Sequence, residues 1–156
     1  MLTVGKFSAG TARNIIPDSA EFEGIVRTLN PVTRGRTVGR VREMVEGMAA
    51  ALRLSAEVEF VEGYPALIND AETAAAVRRI GAAELGAENV VTPPCPQLGV
   101  DDFACIAERV PGCYVDLGAR RPGGPEEPLH SPRFYPDEGC LSVGAALIAA
   151  WAQSQA

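Results

Sequence analysis

Apolar and polar positions recur along this chain with two periods, and these divide it into short strands and amphipathic helices. Leu2-Thr3-Val4-Gly5-Lys6-Phe7 is rich in β-forming residues. After the turn signal Pro17-Asp18, the stretch Ala20 to Leu29 places Phe22, Val26 and Thr28 on one face, which predicts two antiparallel strands. Asn30-Pro31 reads as an N-cap followed by proline at the first helical position. Val38, Val41, Val45, Met48 and Leu52 then follow at steps of three and four, so an amphipathic helix is expected in spite of Gly35, Gly39 and Gly47. Glu57-Val58-Glu59-Phe60 alternates with period two and predicts a further strand.

The pattern changes near Gly63-Tyr64-Pro65, where a domain boundary is expected. Asn69-Asp70 starts a helix with Ala76, Val77, Ile80 and Ala83 inward, and Gly86 ends it. Asp101-Asp102 opens a short helix with Phe103, Ile106 and Val110 on one side, which Pro111-Gly112 stops. Cys113 to Leu117 reads as a strand, and a loop dense in glycine and proline runs from Gly118 to Pro132, the kind of connection that often holds function. Asp137 to Gln153 closes the pattern as a helix with Leu141, Gly144, Ile148 and Trp151 inward. The first part therefore reads ββαβ and the second αα-β-α, with no internal repeat.

Composition narrows the class without naming it. At 156 residues, 47% hydrophobic and 22% charged, the chain falls among ordinary globular proteins of one or two small domains, which excludes disorder and collagen. A net charge of −6 and a pI near 4.8 argue against nucleic acid or an anionic membrane surface as partner. The apolar stretch Val143 to Trp151 is too short to span a bilayer. The four cysteines, Cys95, Cys105, Cys113 and Cys140, form no C-x-x-C, so zinc-ribbon and thioredoxin-like readings fail. With no charged-then-apolar leader before Leu2, they are expected as reduced, mostly packed thiols of a cytoplasmic protein.

Four groups of residues could carry chemistry. His130 is the only histidine, held in Pro128-Leu129-His130-Ser131-Pro132, where the prolines are expected to give a stiff, extended loop that presents an imidazole. One histidine makes no metal site unaided, so a plain loop histidine is the competing reading. Asp101-Asp102 could be a carboxylate pair for acid–base work, or two acids at the positive end of a helix. Arg27 and Asn14 offer a guanidinium fork and an amide that suit a carboxylate, against the plainer reading of an exposed strand arginine and an Asx-turn. The run Arg34, Arg36, Arg40 and Arg42 is followed by Glu43 and Glu46 and reads as a solvated helix face, while the glycine-rich pieces lack the strand and helix context of a dinucleotide site.

Six separated segments, in order, carry a family resemblance. They are Thr3 to Asp18 (TVGKFSAGTARNIIPD) with Glu21 to Thr28, Gly63-Tyr64-Pro65-Ala66-Leu67-Ile68-Asn69-Asp70, Gly99-Val100-Asp101-Asp102-Phe103-Ala104, Val110-Pro111-Gly112, Leu117-Gly118-Ala119, and Leu129-His130-Ser131-Pro132-Arg133-Phe134. Taken together they resemble the hippurate hydrolase, aminoacylase and indole-acetyl-amino-acid hydrolase family of dinuclear-metal amidohydrolases. The resemblance implies an α/β fold with an α+β lid. Residues 1–62 would form a partial, ferredoxin-like ββαβ lid, and residues 63–156 the C-terminal portion of a zinc-peptidase-like catalytic domain.

By the same resemblance, His130 matches the family's last metal ligand, and Asn14 and Arg27 match lid residues that hold the substrate's carboxylate. Gly99, Asp101 and Asp102 match a loop beside the active site, with Asp101 where the family has Glu. The implied parent enzyme binds two divalent ions (zinc, manganese, cobalt or nickel), which activate a bridging water while a Glu takes its proton, and it cleaves N-acyl amino acids to a carboxylic acid and an amino acid. The segment with the His-x-Cys-Gly-His-Asp motif and the general base has no counterpart here, so this chain is expected to be the C-terminal part of such an enzyme. It is expected to hold no catalytic residue, to bind no stable metal alone and to be inactive alone. A homodimer through the lid, or pairing with a separate N-terminal half, is implied. The alternative is a non-catalytic dimerisation or binding module.

Overall fold

A computed structural model of the chain describes residues 1–155. It divides into two units, Met1–Leu67 with Gln97–Cys105, and Ile68–Pro96 with Ile106–Ala156.

In the first unit, strands β1 (Leu2–Ala9) and β2 (Ala20–Val26) form an antiparallel ribbon, followed by helix α1 (Pro31–Ala51). The register pairs Leu2 with Val26 and Ala9 with Ala20, with a bulge between Val4 and Lys6. Gly24 is demanded there, because a Cβ at this position would lie 2.4 Å from the Thr3 carbonyl oxygen. Phe7 and Phe22 stack across the strands with ring centroids 6.4 Å apart, and Lys6 pairs with Glu23. α1 starts where the sequence predicts: the Asn30 side chain accepts from the amides of Val32 (2.8 Å) and Thr33 (3.2 Å), with Pro31 at the first position. Val38, Val41, Val45 and Ala49 form its half-buried stripe. Met48 and Leu52, expected on that stripe, are exposed, because the sheet beneath the helix is only two strands wide.

α1 ends in a Schellman motif. Leu54 N–H donates to Ala49 O (2.8 Å) and Arg53 N–H to Ala50 O (3.0 Å), with Arg53 at φ 59° where glycine usually sits. The strand expected at 57–60 is absent among the described residues, so the first unit is ββα with an unladdered segment in place of the last β. Its alternation survives only as side-chain packing: Val58 is half-buried and the Arg42 guanidinium lies 5.8 Å from the centre of the Phe60 ring.

The second unit contains α2 (Ala71–Leu85) and α4 (Gly139–Gln153), which pack together. The short helix α3 (Phe103–Ala107) falls across the division. Asp70 caps α2, its carboxylate accepting from Thr73 N–H (2.8 Å) and Thr73 Oγ (2.7 Å), and Gly86 at φ 90° ends it. Gly81 is buried, and a Cβ there would meet Val90 at 3.2 Å and Leu147 at 3.8 Å. Val77 and Ile80 face inward as expected, whereas Ala83 is exposed.

The inward face of α4 is Val143, Gly144, Leu147, Ala150 and Trp151, while Leu141 and Ile148 point outward. α4 carries no charged residue, so periodicity alone could not choose its face. In α3, Ala104 rather than Ile106 is buried, and Val110 is exposed as well. The strand expected at 113–117 is also absent among the described residues. There the Asn69 side chain substitutes for a neighbouring strand, accepting from Tyr114 N–H (2.8 Å) and donating to Tyr114 O (3.0 Å), while Asp70 N–H donates to Gly112 O (2.9 Å).

Candidate functional site

Arg27 follows directly on β2, and its backbone exchanges two hydrogen bonds with Met1 (2.9 and 2.8 Å), which carries the ladder one residue further. The strand thereby fixes where the side chain starts. Its Nη1 donates to the carbonyl of Leu98 at 2.7 Å, and its Nε is buried with no partner among the described residues. The Nε–Nη2 edge is the side of a guanidinium that takes a carboxylate bidentately. An orphaned buried donor costs free energy until an acceptor reaches it. Arg27 also lines a cavity of about 300 Å³ with Met1, Leu29, Asn30, Thr33 and Leu98.

Leu98 begins the segment that carries Gly99, Asp101 and Asp102. Asp101 Oδ1 accepts from Phe103 N–H at 2.9 Å, so this carboxylate holds the start of α3, as the helix-terminus reading of the sequence has it. Asp102 is exposed, and its carbonyl accepts from Cys105 N–H (2.9 Å). Gly99 has a negative φ and open space where a Cβ would stand. Asn14 lies in an exposed turn closed by Ile15 N–H to Ala12 O (3.2 Å) and does not line the Arg27 cavity.

His130 belongs to the second unit and is exposed. The loop around it is not the extended strap expected from its prolines but two successive turns. Ser131 N–H donates to Pro128 O (3.1 Å) and Phe134 N–H to Ser131 O (3.0 Å). His130 takes φ 70° at the third position of the first turn, and Pro132 takes the second position of the other, where its fixed φ is favoured. The physical reason is local satisfaction of polar groups. Ser131 Oγ accepts from Arg133 N–H (3.2 Å) and donates to Glu127 Oε2 (3.3 Å), and Glu127 Oε1 lies 3.3 Å from Arg133 Nε. The sequence pattern gave no signal for Glu127 or for the Leu98 carbonyl, since both act through contacts that no periodicity encodes.

No group of three or more His, Cys, Asp or Glu side chains among the described residues could hold a metal ion. These residues therefore do not by themselves fit a dinuclear centre, and His130 supplies one donor at most. The cysteines stand as separate thiols. Cys95 and Cys105 are exposed rather than packed, while burial pushes the thiol of half-buried Cys113 up. No helix among the described residues is long and apolar enough to cross a membrane.

Comparison with known proteins places this chain in a family. The profile of Peptidase family M20/M25/M40 matches residues 3–154, and the chain belongs to that family. It is 35% identical over 149 residues to the N-acetylcysteine deacetylase of Bacillus subtilis, covering 96% of this chain and 37% of that protein. It is 33% identical over 147 residues to thermostable carboxypeptidase 1 of Saccharolobus solfataricus, covering 93% and 36%. Among solved structures it superposes on Bacillus subtilis YXEP, described as a dinuclear metal binding peptidase of the M20 family. That match has a TM-score of 0.77 at 32% identity and covers 97% of this chain and 40% of the other. The chain thus spans about two fifths of the length of the relatives it matches, and its mixed α/β fold is that of a part of an M20 enzyme.

Proposed function

We propose that this chain supplies the carboxylate-recognition part of an M20 amidohydrolase that cleaves N-acyl amino acids to a carboxylic acid and an amino acid. The observation that carries the reading is Arg27: a guanidinium beside a cavity whose buried Nε, on the edge that suits a carboxylate, has no acceptor among the described residues, inside the family match. A substrate carboxylate is the acceptor that edge lacks, and Asn14 would add an amide donor as the resemblance implies. Residues 1–62 serve as the lid and 63–156 as the C-terminal portion of the catalytic domain, with the segment holding Gly99, Asp101 and Asp102 beside the site.

Two divalent ions (zinc, manganese, cobalt or nickel) would belong to the parent enzyme, with His130 as one donor and the others from outside these residues. The residues at hand hold neither a complete centre nor a general base, so this chain alone is inactive. Cytoplasmic hydrolysis by a homodimer joined through the lid is the expected setting.

Titrating the chain with hippurate and N-acetylcysteine, followed by NMR, tests the carboxylate reading. Saturable shifts at Arg27 that Arg27→Gln abolishes support it, and no shift at Arg27 overturns it. Assaying the same substrates with added zinc or manganese tests the rest, since clear turnover by this chain would sink the claim that it is inactive alone. A second reading, a non-catalytic dimerisation or binding module, draws on the exposed apolar ribbon, where Leu2, Val4 and Phe7 are each more than half exposed. A metal-independent dimer by light scattering, without carboxylate binding, favours it.

A further inference from the structure

We infer that Glu127 is a positioning residue: through Ser131 and Arg133 it holds the backbone of His130 in the left-handed geometry that aims the imidazole. This builds on the reading of His130, above, as a donor of an M20 enzyme.

Two turns in the loop from Gly118 to Pro132 stand side by side for comparison. One is closed by Gly124 N–H to Arg121 O (3.0 Å) and has Gly123 at its third position, with φ 70°. The other is closed by Ser131 N–H to Pro128 O (3.1 Å) and has His130 at the same position, also with φ 70°. A turn that needs a positive φ there ordinarily takes glycine or asparagine, because a Cβ crowds the backbone. Glycine meets the need at 123, in open space, with nothing within 4 Å of where a Cβ would stand. At 130 a full imidazole is kept in that conformation, and such strain persists only where the surroundings over-determine it.

The surroundings are a closed ring of polar contacts. Ser131 Oγ donates to Glu127 Oε2 (3.3 Å) and accepts from Arg133 N–H (3.2 Å), while Arg133 Nε stands 3.3 Å from Glu127 Oε1. The ring runs from residue 127 to 133 and so pins the chain on both sides of His130. None of its atoms is an imidazole atom, which leaves the ring nitrogens free for other work.

Burial separates this arrangement from an ordinary surface ion pair. The Glu127 side chain is 17% exposed, against 79% for Arg133, and its neighbour Glu126 and His130 itself are exposed. A pair that leaves both partners in water holds little. A carboxylate drawn inward loses hydration that the groups it binds must replace, and both of those groups, on Ser131 and Arg133, belong to the two turns around His130.

The test reads the single imidazole of the untagged chain by NMR and needs neither substrate nor metal. In wild type, His130 is expected to give the strong intraresidue NOE between its amide and α protons that marks a positive φ. Glu127→Ala is expected to lose that NOE and to spread the imidazole signals over several environments, with the amide shifts of α2 and α4 unchanged. Ser131→Ala, which opens the same ring elsewhere, should do likewise, and Glu127→Gln, which keeps an acceptor for Ser131 Oγ, should restore the wild-type pattern in large part. An unchanged NOE and imidazole spectrum in Glu127→Ala overturns the proposal. A melting-temperature cycle separates positioning from plain stabilisation: Glu127→Ala should cost more in a His130→Gly background than in wild type, because only the histidine has strain to release. Equal shifts in both backgrounds would make Glu127 merely structural and overturn the assignment. Absence of carboxylate binding at Arg27 would count against the amidohydrolase reading and leave these results standing, whereas an unmoved His130 would remove the positioning role with that reading intact.

Discussion

The guanidinium of Arg27 grips the carbonyl of Leu98 at 2.7 Å across 71 residues of sequence. It ties the end of β2 to the start of the segment that holds Asp101. A hydrogen bond from a charged donor is worth about 1.5–3 kcal/mol, less where water competes. Arg27→Gln is expected to cost about 1 kcal/mol and to speed amide exchange across residues 97–103, read by mass spectrometry. Unchanged exchange there would mean the contact holds nothing.

Arg53 occupies a left-handed position that glycine takes without strain. Arg53→Gly is expected to stabilise the chain by up to about 1 kcal/mol, relief at φ 59° outweighing the added freedom of the unfolded chain. A urea midpoint that falls instead would show that the arginine side chain contributes more than its backbone costs.

Asn69 brackets Tyr114 with two hydrogen bonds, so Asn69→Ala should cost roughly 1–2 kcal/mol by thermal denaturation. Asn69→Asp keeps the acceptor for Tyr114 N–H but sets a carboxylate oxygen against Tyr114 O, and should be no better than alanine. If the aspartate variant matched wild type, the amide donor would be irrelevant.

Acid should act on α2 through its cap. Hydrogen bonds from Thr73 hold the Asp70 carboxyl below its ordinary value of 3.8. A depressed folded-state pKa gives stability that is complete above the ordinary value and is lost as pH falls through the lower one. Helical ellipticity should therefore weaken from near pH 4 downward, and Asp70→Asn, which caps without titrating, should flatten that part of the profile. An identical acid profile in the variant would assign the loss to other carboxyl groups.

Local signals in the sequence reached as far as local structure. Asn30-Pro31, Asn69-Asp70 and Gly86 stand where their capping chemistry puts them, because an N-cap or a left-handed terminus is decided within four residues. The β1–β2 pairing is legible because two β-rich runs flank the Pro17-Asp18 turn signal, so each strand has the other as its neighbour. Glu57 to Phe60 and Cys113 to Leu117 have strand-like patterns without ladders, since a strand exists only by virtue of its neighbour and no periodicity supplies one. α4 was placed correctly along the chain but its face was not, because every face is apolar. At the site, Arg27 was readable as a residue type suited to carboxylates, whereas its grip on Leu98 and the Glu127 support beneath the His130 turn depend on contacts far from any repeat.

Trp151, the single tryptophan, lies on the inward face of α4. Its emission therefore reports on the packing of α4 against α2. Unfolding followed by fluorescence tracks the second unit, and unfolding followed by circular dichroism tracks both. A gap between the two transitions would measure how far these halves melt as independent bodies, without any label being introduced.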